Sequence, residues 1–370
     1  MESSRSCSFH KTGAKNEIAL EELVHAKNTV LTAHQYKKYR TDLNESEILN
    51  FHEAQVPAAV LGEYDKKFSP SSIIALYRSE ISPREANRFL AESSLNEYFI
   101  TLYLLRGISS HRYKFLVRSV GGSPRSPEQH ARLMRKAIGA HFTKSQKSHL
   151  QKTYNLSCLE RYSIPLLEEL LLNRDPAHNE ERPAALVILP KSDWNGTFLE
   201  DVDIYQAISK KYKLFAYEAR VRSEVFGSIR TFGLYHGKTP EGDPQKPLEL
   251  LILAGHGSAF ALNLGDEERL NATEENFPYA LQSRYLSLLD EERFRRVAPF
   301  VTGTVLLFSC SAGEGGEKAR NLATSIFTAF SCKRLIAPEE EKINVLAIDL
   351  DPFPFPLYSC GKNRTLILER

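Results

Sequence analysis

The chain has little of what cross-linked or metal-built proteins rely on. Five cysteines (Cys7, Cys158, Cys310, Cys332 and Cys360) stand scattered through 370 residues, too few and too far apart for a disulfide framework. No C-x-x-C or H-E-x-x-H spacing occurs, so the usual zinc patterns are missing and no metal or cofactor is expected. The most apolar patch, Tyr98 to Leu105, covers eight positions, far short of the roughly 20 a membrane helix needs, so no membrane partner is expected. The segment Met1–Cys7 is polar and has no apolar signal core. Without a signal, the Asn-x-Ser/Thr sequons at Asn155, Asn195, Asn271 and Asn363 read as chance matches. These absences point to a reducing, cytoplasmic setting, where a cysteine can serve as a thiolate.

What is present fits globular protein: 42% hydrophobic, 25% charged, net charge +2. A chain of 370 residues is long for one core, so two domains are expected. Residues 1–45 read as a polar tail and first helix, and 46–175 as an all-α helical-repeat domain. Within it, apolar anchors Val56, Ile81 and Ile108 stand 25 and 27 positions apart, each followed at +5 and +8 by Leu61 and Tyr64, Ala86 and Phe89, or Tyr113 and Leu116. The spacing predicts units of two short helices joined at the anchor, with Pro57 and Pro83 at helix starts. A last helix is expected from Leu159 to Leu172. The polar, proline-bounded stretch 176–183 reads as a linker.

From 184 to 370 the pattern changes to alternating strands and helices. Continuous apolar runs at Ala184–Leu189, Leu248–Ala254 and Thr304–Phe308 suit strands buried on both faces. Helices are expected near Asp201–Tyr212, Ser223–Tyr235 and Asp290–Pro299. After Cys310, Ala319, Leu322, Ala323, Ile326, Phe327 and Phe330 form one helical face. Two terminal strands, Ile343–Asp349 and Arg364–Leu368, are expected to pair as a hairpin. The alternation implies an α/β fold, a mostly parallel sheet with helices on both faces.

Two strand ends carry chemistry. Ala254-Gly255-His256-Gly257 sets a histidine between glycines just past one buried strand, and Phe308-Ser309-Cys310-Ser311-Ala312-Gly313 sets a cysteine just past another. In a parallel sheet the carboxyl ends share one edge, where ligands bind. Glycines there let substrate approach and leave backbone N–H groups to face an oxyanion. A helix following Cys310 would favour its thiolate.

On these residues the region 183–340 resembles the caspase-like superfamily of cysteine peptidases, and the Cys310/Gly313 spacing is closest to CHAT and metacaspase forms. The resemblance implies a caspase-like domain at 184–370. It also implies an endopeptidase with Cys310 as nucleophile, His256 as acid and base, and the N–H groups of Gly257 and Cys310 as oxyanion donors. Asp193, in the loop after the first strand beside Trp194, is the candidate substrate-binding carboxylate for a basic side chain. Helix capping by Asp193 and a reversed preference from Lys191 stay open. The chain lacks the Gln-Ala that caspases place before the cysteine, and Phe308 stands where metacaspases have an acid. The alternative is an inactive caspase-like scaffold; an α/β-hydrolase would need a G-x-S-x-G elbow, which is absent.

Residues 111–152 hold ten Lys/Arg against the single acid Glu128. With no nucleic-acid motif and little aromatic interleaving, this reads as a solvated or docking face rather than a nucleic-acid site. The partners expected are a protein or peptide substrate and a regulatory protein on the helical domain.

Overall fold

The computed structural model describes residues 33–173, 182–191, 202–235, 247–265, 283–330, 332–339, 345–349, 355–358 and 365–370. After helical residues 33–37, nine helices follow among these: α1 (Glu45–Glu53), α2 (Ala58–Leu61), α3 (Pro70–Arg78), α4 (Pro83–Glu92), α5 (Glu97–Leu105), α6 (Ser110–Val120), α7 (Pro127–His141), α8 (Lys144–Thr153) and α9 (Ile164–Leu172). Their starts are written in the sequence. The side chains of Asn44, Ser69, Ser82, Ser109, Ser126, Thr143 and Ser163 each accept an N–H from the first helical turn, which satisfies a donor that the helix leaves orphaned.

The expected repeat has a physical cause in the way helices end. The N–H groups of Val56, Ile81 and Ile108 donate to the carbonyls of Phe51, Leu76 and Tyr103 at 3.0, 3.0 and 2.8 Å. The residue before each anchor is left-handed: Gln55, Glu80 and Gly107 have φ of 55°, 59° and 76°. This is the Schellman termination, in which an apolar residue just past the helix packs back on it. Leu61, Tyr64, Ala86, Phe89, Tyr113 and Leu116 are all buried. The expected helix at 159–172 is shorter: a 3-10 turn at Leu159–Arg161 precedes α9, whose cap Ser163 and Pro165 fix the start.

The remaining elements are β1 (Ala184–Pro190), α10 (Val202–Lys211), β2 (Lys213–Ala219), α11 (Arg222–Tyr235), β3 (Leu248–Ala254), β4 (His256–Gly257), β5 (Ala261–Asn263), β6 (Tyr285–Ser287), α12 (Glu291–Val297), β7 (Val301–Phe308), α13 (Leu322–Phe330), β8 (Arg334–Pro338), β9 (Val345–Asp349), β10 (Phe355–Tyr358) and β11 (Thr365–Glu369). The main sheet has six strands in the order β11-β8-β7-β3-β1-β2, parallel except for the edge strand β11. The all-helical region followed by an α/β domain with a mostly parallel sheet is therefore the architecture of this chain.

The terminal hairpin expected from sequence does not form. β11 pairs antiparallel with β8, and β9 pairs with β10 in a separate ribbon. Pairing with β11 covers the outer edge of β8, which a β9–β11 hairpin would have left open.

Packing divides the chain into Met1–Thr101 and Leu102–Arg370, a division that falls inside α5. The second unit holds α6 to α9 together with the sheet. Glu218 on β2 is fully buried; its carboxylate accepts the Tyr162 hydroxyl and, at 2.7 Å, the Ser157 N–H. Asn155 donates to the Glu218 carbonyl at 2.7 Å and Asn173 to the Leu214 carbonyl at 2.6 Å. The ring of Tyr154 stacks on Phe232 of α11, 5.6 Å between centroids. Of the expected linker 176–183, only Arg182 and Pro183 fall within the described residues.

Candidate active site

β3 and β7 are neighbours, and Ala254 stands opposite Phe308. The alignment persists past the strands, because the Gly255 N–H donates to the Phe308 carbonyl at 3.2 Å. Past the strand ends, the segment carrying His256 and Gly257 lies against the one carrying Ser309 and Cys310, as the space around Gly257 shows. The sheet thus brings together the two residues singled out from sequence, at its carboxyl edge. The strand order also reverses direction between β1 and β3, and such a switch point opens a crevice outside the strand ends.

Gly257 gives the closest view of this meeting. A Cβ there would lie 2.1 Å from Ser309 Oγ and 3.0 Å from the Cys310 carbonyl, so only glycine lets the two strand ends approach this closely. Beyond β3 the chain folds into a small antiparallel hairpin. The Ser258 N–H donates to the Ala261 carbonyl at 2.9 Å, with Gly257 opposite Leu262. Ladder bonds alternate along such a pair, so the N–H of Gly257 points to the edge away from β5. At Gly255 a side chain would strike Leu262 Cδ2 at 2.4 Å, which explains the other glycine flanking His256.

After Cys310 the backbone turns sharply: Ser311 has φ of 51°, left-handed for a residue with a side chain. Its hydroxyl is buried without a hydrogen-bond partner among the described residues. Strain of this kind is sustained only where the surroundings hold it, and it clusters at functional sites. The turn is held by the Gly313 N–H, which donates to the Pro338 carbonyl at 2.8 Å. The buried Asn321 adds to this, with its amide on the carbonyls of Glu314 and Gly316 at 3.1 and 3.0 Å. Neither Ser311 nor Asn321 was a site candidate in the sequence. Serine carries no signal for left-handed backbone, whereas Asn321 ahead of an apolar helical face is a recognisable cap.

The expectation that a helix presses its positive end on Cys310 is corrected. α13 begins at Leu322, twelve positions later, with Ala319 outside it. Its first N–H groups are committed, Leu322 to the Ala259 carbonyl at 2.7 Å and Ala323 to the Ala312 carbonyl at 3.1 Å. Gly315 and Gly316, with φ of 83° and 74°, interrupt the helix before it reaches the cysteine.

Cys310 is partly exposed, while Cys332 is buried and its thiol is pushed up to about 11 by loss of solvent. A thiol held protonated in this way is a poor nucleophile. Asp193 and Trp194 lie outside the described residues. Among the described residues no group of His, Cys, Asp and Glu could hold a metal, and no helix is long and apolar enough to cross a membrane. Within the basic stretch, Arg112 and Lys136 donate to the carbonyls of Ala137 and Ser119, and Arg135 pairs with Glu160.

No family model matches this chain, and no curated protein or solved structure is detectably similar to it.

Proposed function

We propose that the chain is a cysteine endopeptidase of the caspase-like kind, working through a Cys310–His256 pair. The Cys310 thiolate attacks the scissile carbonyl, forming an S–C bond, while the N–H groups of Gly257 and Cys310 take the oxyanion charge. As the C–N bond breaks, the His256 imidazolium gives its proton to the leaving amine. His256 then takes a proton from water, the hydroxide attacks the thioester, and the acid product leaves with the thiolate restored. The observation that carries this reading is the β3–β7 register, together with the close approach of Gly257 to Ser309 and Cys310.

Asp193 is proposed to select a basic side chain through paired hydrogen bonds. The setting is proposed to be cytoplasmic, with the helical region recruiting a regulatory protein. The test is hydrolysis of a fluorogenic peptide library. Cys310→Ala and His256→Ala should each abolish turnover, and the double variant should be little worse than either single one, because the pair acts as a unit. Turnover surviving in Cys310→Ala would refute the assignment.

A further inference from the structure

On the second unit, α11 and α12 line a groove of about 530 Å³ that includes neither Cys310 nor His256 among its lining residues. Ser223, Phe226, Gly227 and Arg230 are spaced i, i+3, i+4, i+7 along α11, so that wall is one helical face; the other is Arg293, Arg296 and Val297 of α12 with Phe300 from the 3-10 turn Ala298–Phe300 that follows. Phe226, Val297 and Phe300 make an apolar floor, which Phe226 extends by packing edge-on against Phe294 at 5.1 Å.

Three arginines, Arg230, Arg293 and Arg296, are among the lining residues. Arg230 is exposed and has no ion-pair partner among the described residues. Arg293 and Arg296 reach only acids beside them in sequence, Asp290 at 3.4 Å and Glu292 at 3.5 Å, and stay 48% and 75% exposed. The exposed Arg296–Glu292 pair holds its members weakly, so Arg296 can turn to a better partner, whereas Arg293 is tied to Asp290, a buried carboxylate that also faces Arg222. Gly227 is the second pointer. It sits inside α11, where glycine costs about 1 kcal/mol against alanine, yet a Cβ there would meet nothing within 4 Å. Packing does not require this glycine, and it leaves that part of the α11 wall without a side chain.

We propose that this groove docks an acidic amphipathic helix of a protein partner. An apolar side chain of the partner would seat over Gly227, with carboxylates paired to Arg230 and Arg296. A third helix laid between two exposed helical faces is a recurrent mode of peptide recognition, and bidentate pairing suits guanidinium to carboxylate. The inference stands whether or not Cys310 is catalytic.

A displayed library of helix-forming peptides, selected on the full chain, tests it. Recovered sequences should be acidic, with apolar residues at i, i+4 and i+7. By anisotropy, a labelled recovered peptide should bind about tenfold or more weakly to Arg230→Glu with Arg296→Glu. The same loss is expected with Gly227→Trp, and a check of folding by circular dichroism accompanies each variant. Because Arg230 and Arg296 are exposed, the charge variant keeps the test valid if Gly227→Trp fails to fold. Recovery of peptides without acidic bias, of peptides indifferent to these variants, or of none would overturn the proposal. So would binding that strengthens when Asp266, Glu267, Glu268, Glu274 and Glu275 are neutralised, since the groove would then belong to the chain's own acidic segment.

Discussion

Gly257 concentrates the residue-scale reasoning, because one missing Cβ sets the distance between two strand ends. Gly257→Ala would drive a methyl into Ser309 Oγ and the Cys310 carbonyl, at 2.1 and 3.0 Å before relaxation. Peptide hydrolysis should fall by about a hundredfold or more, as expected when reacting groups shift by an ångström, with KM little changed. A Gly257→Ala variant as active as wild type would mean that this approach does not matter to turnover. In the sequence, the glycines flanking His256 read as room for substrate to approach; in the structure they make room for the chain's own Leu262, Ser309 and Cys310. The left-handed turn at Ser311 was not legible in the sequence, because a serine carries nothing that announces it; the loop held by Asn321 and the Gly313–Pro338 bond imposes it.

At the scale of elements, spacing in the helical region reported the ends of helices as much as their faces. Val56, Ile81 and Ile108 are conspicuous because each is the apolar residue that follows a left-handed helix end. The parallel strands were legible as unbroken apolar runs, since both of their faces are covered. Strand partnership was less so: β9 and β11 each look like a strand, but nothing local says that β11 belongs beside β8. Helix-to-sheet docking was also invisible, because its contacts join residues far apart in sequence, among them a polar Glu218 inside an apolar strand. Glu218→Leu should destabilise the second unit by about 3 kcal/mol, since it leaves the Tyr162 hydroxyl and the Ser157 N–H buried without their acceptor. Urea unfolding measures this, and a loss under about 0.5 kcal/mol, typical of neutral surface changes, would show that Glu218 does not tie these elements together.

For the whole molecule, chain length predicted a division, and a change of pattern placed it at 176–183. Packing groups the chain as Met1–Thr101 and Leu102–Arg370, and Tyr154, Asn155, Tyr162 and Asn173 tie the ends of α8 and α9 to β2 and α11. A protease site inserted between Asn173 and Arg182 should therefore cut the chain without releasing its halves. Both fragments should co-elute in size-exclusion chromatography under native conditions. Separate elution of two folded pieces would place the boundary at the cut and contradict this account of the second unit.

The most direct measurement of the central claim uses a peptidyl acyloxymethyl ketone with arginine next to the warhead. The thiolate displaces the carboxylate and leaves a stable thioether. Mass spectrometry of the labelled full chain should find the adduct on Cys310. Labelling should be lost in Cys310→Ala and strongly slowed in His256→Ala, and the buried thiol of Cys332 should stay unmodified at neutral pH. A chain that remains unlabelled at Cys310, or that labels equally well without His256, would contradict the proposal that these two strand ends form a catalytic pair.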